Sequence, residues 1–272
     1  MSVSQEYDKS AASAIKAKFA AKLKVFNVLP VALAWGLLLF IFVGLRVYLQ
    51  LYAFKYGLDS TDPAFETYWM TLFKVEIPLV MGTGVLIWVY LWVTRDRHFE
   101  ALTPEVELRR YFGLVGWFLV YVFAFFLLAA IFAEGDATWH QTVVRDTPLT
   151  PSHIITFYAC VPVYLVCGVG SLLYAVTRLP AYAKSYSVPL LMVVIGPGMI
   201  LPNVGYNEWG HAYWFTEEIF SHPLHWGFPI LGWTGLALGG ALVQVMSRMS
   251  QLFIQLGAAT ATQGVAPAQP AE

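Results

Sequence analysis

The run YFGLVGWFLVYVFAFFLLAAIFA, residues 111–133, decides the fold, because it contains no Asp, Glu, Lys or Arg. A helix of about 20 apolar residues is long enough to cross the hydrocarbon core of a bilayer. The whole chain shares this character, since 58% of its 272 residues are hydrophobic and only 12% are charged. Soluble domains carry about 25% charged residues. The sequence therefore predicts an integral membrane protein.

Five further apolar runs accompany this one, so the sequence predicts about six membrane spans. The six lie near 26–52, 77–94, 111–133, 153–176, 187–203 and 226–246. The fifth run is short and is interrupted by Gly196, Pro197 and Gly198, which favours a kinked or tilted helix. Because the chain lacks the alternating ten-residue segments of a membrane β-barrel, we predict an all-α, polytopic transmembrane helix bundle.

The two ends of the chain differ from this transmembrane domain, which we place at 25–256. Residues 1–24 combine five lysines with Ile15, Phe19 and Leu23 at helical spacing. That pattern is typical of a basic amphipathic helix lying on a membrane surface. The tail 257–272 is rich in Ala, Pro and Gln, and we expect it to be disordered.

The distribution of lysine and arginine predicts the orientation. If successive loops alternate between two sides, 12 of the 16 basic residues fall on the side that holds both termini. Only Lys55, Lys74 and Arg145 fall on the other side, and Arg46 lies inside the first span. The positive-inside rule makes the first side cytoplasmic. The net charge of −1 and the lack of a basic block give no reason to propose a nucleic-acid partner.

Polar residues on the predicted outward side form two sets with one layout. In each set an oxygen donor precedes a histidine by four residues, so the two share a helix face, and a second histidine follows 13 or 14 residues later. The sets are Asp136, His140 and His153 within residues 135–153, and Asn207, His211 and His225 within residues 203–226. Each is a candidate metal site with two imidazoles and one oxygen donor.

Imidazoles with few oxygen donors and no thiolate suit copper, zinc, iron or nickel, and the residues alone do not choose among them. A single histidine near a membrane interface is more simply explained by a hydrogen bond to a carbonyl or a lipid headgroup. Two sets with matching spacing on one side favour metal binding. Cys160 and Cys167 are seven residues apart on one helix, too far for a disulfide, and we interpret them as packing residues.

Two long segments resemble a known family. GDATWHQTVVRDTPLTPSHIITFY (135–158) and GPGMILPNVGYNEWGHAYWFTEEIFSHPLHWGF (196–228) are similar to the C subunit of the copper membrane monooxygenases. These enzymes include particulate methane monooxygenase, ammonia monooxygenase and the short-chain hydrocarbon monooxygenases. The resemblance covers most of the chain except about the first 50 residues and the tail.

The resemblance implies a copper enzyme that inserts one atom of dioxygen into a small apolar substrate or ammonia. It implies A-type and B-type partner subunits in a trimer of heterotrimers, in the bilayer of a bacterial inner (cytoplasmic or intracytoplasmic) membrane. By the same resemblance, Asp136, His140 and His153 bind copper, with zinc as a possible substitute. Asn207, His211 and His225 form another copper site and are the candidate catalytic residues, giving one or two copper ions in this subunit.

Three departures from the family pattern bear on the substrate. The chain has FAEGD, RDTPLTPSH and YNEWGH where the family usually has FTEQD, RDTDFTPSH or RDTSFTPSH, and LNEWGH. All six candidate ligands are retained, but the changes beside them favour a hydrocarbon oxidiser over a standard ammonia oxidiser. Three alternatives remain, namely the C subunit of an ammonia monooxygenase, a metal transporter, or a structural protein with vestigial ligands. A transporter would need polar residues continuing through the spans, which are almost purely apolar.

Overall fold

A computed structural model describes residues 27–58, 60–142, 150–196 and 235–264, with side chains described for all of these except 129–142, 156, 157, 161 and 260–264. Within those ranges the regular structure is entirely helical. The predicted all-α membrane bundle is therefore confirmed as a fold class.

Seven helices make up the described part of the chain. They are α1 (Val28–Tyr52), α2 (Glu66–Val93), α3 (Pro104–Thr142), α4 (Pro151–Arg178), α5 (Pro180–Ala183), α6 (Val188–Ile195) and α7 (Gly239–Gly264). The first four are long and apolar enough to cross a membrane. The fifth and sixth predicted spans lie partly outside the described residues, and the amphipathic segment 1–24 lies wholly outside them. All three stay predictions.

Two helices extend beyond the limits that hydropathy set. Helix α3 begins at Pro104, seven residues before the apolar run, and continues to Thr142, nine residues after it. Helix α7 continues to Gly264, eight residues into the tail 257–272, and the expected disorder of the tail stays a prediction. This stretch, GAATATQG, contains three alanines, and alanine has the highest intrinsic helix propensity, which extends a helix that is already formed.

Helices α3 and α4 pack antiparallel at the centre of the bundle, and glycines allow their close approach. A Cβ atom added to Gly168 would lie 2.8 Å from the Tyr121 hydroxyl, and one added to Gly170 would lie 2.6 Å from the Trp117 ring. Small residues at such contacts are typical of membrane helix packing. Helices α1 and α7 pack on α3, α2 packs on α4, and α6 contacts both α4 and α7.

Ion pairs join the helices at one end of the bundle, which we call the basic end. Arg110 on α3 donates to the Asp96 carboxylate at 2.8 Å and to the carbonyl of Arg178 at 2.8 Å. Arg248 on α7 donates two hydrogen bonds of 2.9 Å to the Glu107 carboxylate. The ends of α2, α3 and α4 and a middle turn of α7 therefore lie at the side that the sequence predicts to be cytoplasmic.

Candidate metal centre

The antiparallel register of α3 and α4 determines which residues meet at the opposite end, which we call the rim. At the basic end, Arg110 is hydrogen-bonded to Arg178. Further along the pair, the rings of Phe125 and Tyr164 lie 6.1 Å apart between centroids. Fifteen residues forward along α3 thus correspond to fourteen residues back along α4. The register is close to one residue for one residue.

Continuing this register leads to the first predicted ligand set. Eleven residues beyond Phe125 is Asp136, and eleven residues before Tyr164 is His153. The backbone is helical throughout both stretches, and α3 contacts the segment that begins α4. His140 follows Asp136 by about one helical turn on the same uninterrupted helix. The two helices therefore bring Asp136 and His153 to one level.

This level lies about one bilayer thickness from the basic end. At 1.5 Å per residue, Asp136 is about 39 Å along α3 from Arg110, and His153 is about 37 Å along α4 from Arg178. The hydrocarbon core is about 30 Å thick. With the arginines at one surface, both residues lie near or just beyond the other surface, where a charged ion costs less than in hydrocarbon.

His153 is held by the first turn of α4. Thr150 is extended and precedes the helix, and Pro151 occupies the first helical position, where a missing N–H costs nothing. His153 is only 5% exposed and Ser152 is fully buried. The sequence had placed this histidine at the edge of a span, whereas the structure buries its imidazole in the bundle.

Two helices that begin at the rim start with π-helical turns. Residues Glu66–Met70 open α2, and residues Ile154–Cys160 follow directly after His153 in α4. Such turns are rare and are frequent at functional sites. Hydropathy did not predict these π-helical turns, because it measures how apolar a segment is and does not depend on the number of residues per helical turn.

The chemistry of Asp136, His140 and His153 suits a copper ion, and the binding of an ion by these residues is a prediction. Two imidazoles and a carboxylate are ligands that copper and zinc accept, and a shared level in the bundle is a precondition for binding one ion. Among the side chains that the structure describes, no three His, Cys, Asp or Glu residues are grouped as a metal site. The side chains of Asp136 and His140 are outside that set.

The second predicted ligand set lies outside the described residues. This applies to Asn207, His211 and His225, and to His222, a nearby histidine that the four-residue spacing does not assign to the set. Cys160 and Cys167 are both buried and are not joined by a disulfide, as expected.

Sequence reasoning missed Glu76. We predicted a span beginning at residue 77, but α2 begins at Glu66, so Glu76 lies ten residues inside the helix. Its Oε2 atom is buried and has no hydrogen-bond partner among the described residues. The available signal was that Glu76 directly precedes an apolar run. An acidic residue in that position lies within the membrane if the helix starts one turn or more before the run.

Comparison with known proteins gives one family. A sequence profile that describes the C subunit of ammonia monooxygenase/methane monooxygenase matches residues 9–255. No curated protein matches the chain at the significance we required. The matched range covers both predicted ligand sets and all four long apolar helices.

Proposed function

We propose that this chain, which belongs to the family of ammonia/methane monooxygenase C subunits, serves a copper-dependent enzyme that hydroxylates methane or a short-chain alkane with dioxygen. Family membership establishes one component of a multi-subunit membrane monooxygenase. The dependence on copper, the alkane substrate, and the A-type and B-type partners in a trimer of heterotrimers are the proposed parts.

The register of α3 and α4 is the observation that carries the proposal. It supports a first copper site with Asp136, His140 and His153 as ligands, and the matching sequence pattern supports a second with Asn207, His211 and His225. Copper bound at these sites would supply the one-electron chemistry that dioxygen activation needs. We place the rim on the outward side of a bacterial inner membrane, following the lysine and arginine distribution.

The chain's own residues contribute position and a dry environment. The first turn of α4 holds the His153 imidazole in the bundle, where ligation requires its neutral form. The apolar helices below the rim exclude water and admit a substrate that dissolves in hydrocarbon. Methane and small alkanes offer no hydrogen-bonding group, so one methylene changes selectivity by only about 1–3 kcal/mol. We therefore expect activity on several chain lengths.

Two histidine variants, one at a predicted ligand and one control, test the metal site. In the intact complex in membranes, His153→Ala should lower copper content and abolish oxidation, because alanine supplies no donor. His98→Ala is the matched control, since His98 is exposed near the basic end. Metal analysis and the electron paramagnetic resonance spectrum of Cu(II) distinguish copper from zinc. Full copper content and full rate in His153→Ala would remove His153 from the site.

Competing substrates test the alkane assignment. Steady-state kinetics with methane, butane and ammonia should give the highest specificity constant for an alkane, with ammonia a poor substrate or a weak competitive inhibitor. A specificity constant for ammonia above that of every C1 to C4 alkane would make the chain part of an ammonia monooxygenase. The copper assignment is tested separately by the histidine variants.

A further inference from the structure

Glu76 is a half-buried acidic residue in a helix that is long and apolar enough to span a membrane, and one of its carboxyl oxygens is buried. It lies ten residues inside α2, and its Oε2 atom has no hydrogen-bond partner among the residues that the structure describes. Two other acidic side chains on the long helices form ion pairs, Glu66 with Lys74 and Glu107 with Arg248. An intramembrane ionisable residue without such a pair is most often functional.

Glu76 lies on α2, which packs against the π-helical segment of α4. One turn earlier on α2, the Phe73 ring lies 5.5 Å from the Tyr158 ring of that segment. The Tyr48 hydroxyl from α1 donates its hydrogen to the carbonyl oxygen of Tyr68 at 2.8 Å. That hydrogen bond joins α1 to α2 about two turns nearer the rim than Glu76.

Tyrosine rings connect this position to water. The ring centroids of Tyr48 and Tyr52 are 4.7 Å apart, those of Tyr52 and Tyr68 are 5.3 Å apart, and Tyr68 stacks on Tyr56 at 4.7 Å. Tyr56 is 43% exposed in the loop that follows α1. A series of tyrosine rings thus runs from Tyr48 to the rim surface.

The same carboxyl group lies below the candidate metal centre. Cys160 ends the π-helical segment that begins directly after His153. Seven residues separate them, which is fewer than two turns of helix. Glu76 therefore lies on the helix that packs against this segment, farther from the rim than the predicted ligand His153.

We infer that Glu76 is a proton-transfer residue, which takes up protons from the rim surface and passes them toward the centre formed by α3 and α4. The inference rests on the proposed function. A monooxygenase turnover uses dioxygen, a substrate C–H bond, two electrons from a reductant and two protons, and yields an alcohol and water. For each proton, the O–H bond of Glu76 breaks and then forms again with a proton from the water side. Glu76 is neither oxidised nor reduced.

Chemical labelling tests the protonated state directly. Dicyclohexylcarbodiimide is apolar and reacts with protonated carboxyl groups in apolar surroundings, adding to the carboxyl oxygen and rearranging to a stable acylurea. After treatment of the intact complex in membranes at pH 7, mass spectrometry should find the adduct on Glu76, with a parallel loss of oxidation rate. Glu66, which is exposed and paired with Lys74, is the internal control and should stay unlabelled. An unlabelled Glu76 would overturn the inference.

Variants test the role in turnover. Glu76→Gln should lower kcat at least tenfold and change the pH–rate profile, with copper content and KM unchanged. Glu76→Asp, which keeps the acid, should recover part of the rate, and Glu66→Gln should behave as wild type. A wild-type rate and pH profile in Glu76→Gln would refute the inference. If that variant does not assemble, the labelling of the wild-type complex decides.

Different results would contradict the proposed function and the proton-transfer role of Glu76. A wild-type complex that lacks copper and oxidises neither alkanes nor ammonia would contradict the proposed function. A wild-type complex with normal turnover that is insensitive to the carbodiimide and to Glu76→Gln would contradict only the proton-transfer role.

Discussion

Two glycines on α2 provide a matched test of the packing that positions α4. A Cβ atom at Gly84 would lie 3.5 Å from Cβ and from Cγ1 of Val166 on α4, and closer still to Cγ2. Val166 is only 9% exposed, and its branched Cβ restricts its rotamers, so the methyl groups cannot easily move away. Gly82, two residues earlier on the same helix, has no neighbour within 4 Å of such a Cβ.

The identical substitution at both sites separates two effects. Glycine to alanine in a helix stabilises by about 0.5–1 kcal/mol through backbone entropy. Overpacking a filled contact costs about 1–3 kcal/mol. The entropy effect is common to both variants and cancels in their difference. We therefore expect Gly84→Ala to be less stable than Gly82→Ala by about 2 kcal/mol, with Gly82→Ala at or slightly above wild type.

Thermal unfolding of the intact purified complex measures this difference, with release of this chain from the complex followed alongside the transition. Gly84→Ala should release the chain at a lower temperature than wild type, and Gly82→Ala should not. Equal transition temperatures for the two variants would refute the tight α2–α4 contact. A less stable Gly82→Ala would show that this face of α2 is occupied by another protein in the assembly.

Three further predictions concern charge, orientation and the second metal site. Hydrogen bonds from a backbone N–H two residues along the chain and from an arginine hold the pKa of Asp96 below its usual range. Asp96→Asn should therefore lower stability by about 1 kcal/mol at pH 7, and in pH-dependent unfolding this difference should vanish as acid protonates the wild-type carboxylate. Reporter fusions after Gly57 and after Pro148 should behave as outward-facing, and cytoplasmic behaviour would reverse the topology. His211→Ala should remove copper and oxidation while His222→Ala keeps the metal content, whereas full metal and rate in His211→Ala would leave only an interfacial cluster.

Hydropathy predicted the membrane part of the fold well because it measures the property that places a helix in a bilayer. The span predicted at 26–52 is observed as Val28–Tyr52, and the span at 153–176 as Pro151–Arg178. It fails where a helix leaves the hydrocarbon, since hydrogen bonds within the helix continue regardless of the solvent. Helix α3 therefore passes beyond its apolar run to Thr142.

For the candidate site, the sequence predicts what lies on one helix but not what depends on contacts between helices. The four-residue spacing of Asp136 and His140 could be interpreted from sequence, because both lie on one helix. Their level relative to His153 could not, because it depends on the register between two helices, and that register is set by contacts such as Tyr121 against Gly168. Glu76 was missed for a related reason, since a predicted start at residue 77 placed it outside the membrane.

The length of α3 suggests why the ligands lie at the rim rather than in the middle of the bundle. A metal ion with a carboxylate ligand carries charge that hydrocarbon solvates poorly, whereas alkanes and dioxygen dissolve in hydrocarbon. A centre about 39 Å from the basic end along α3 would lie at the boundary of the two phases. There an ion would keep polar surroundings while apolar substrates would arrive from the bilayer side. Protons do not dissolve in hydrocarbon, so turnover would need a separate polar path, which is the role proposed for Glu76 on α2.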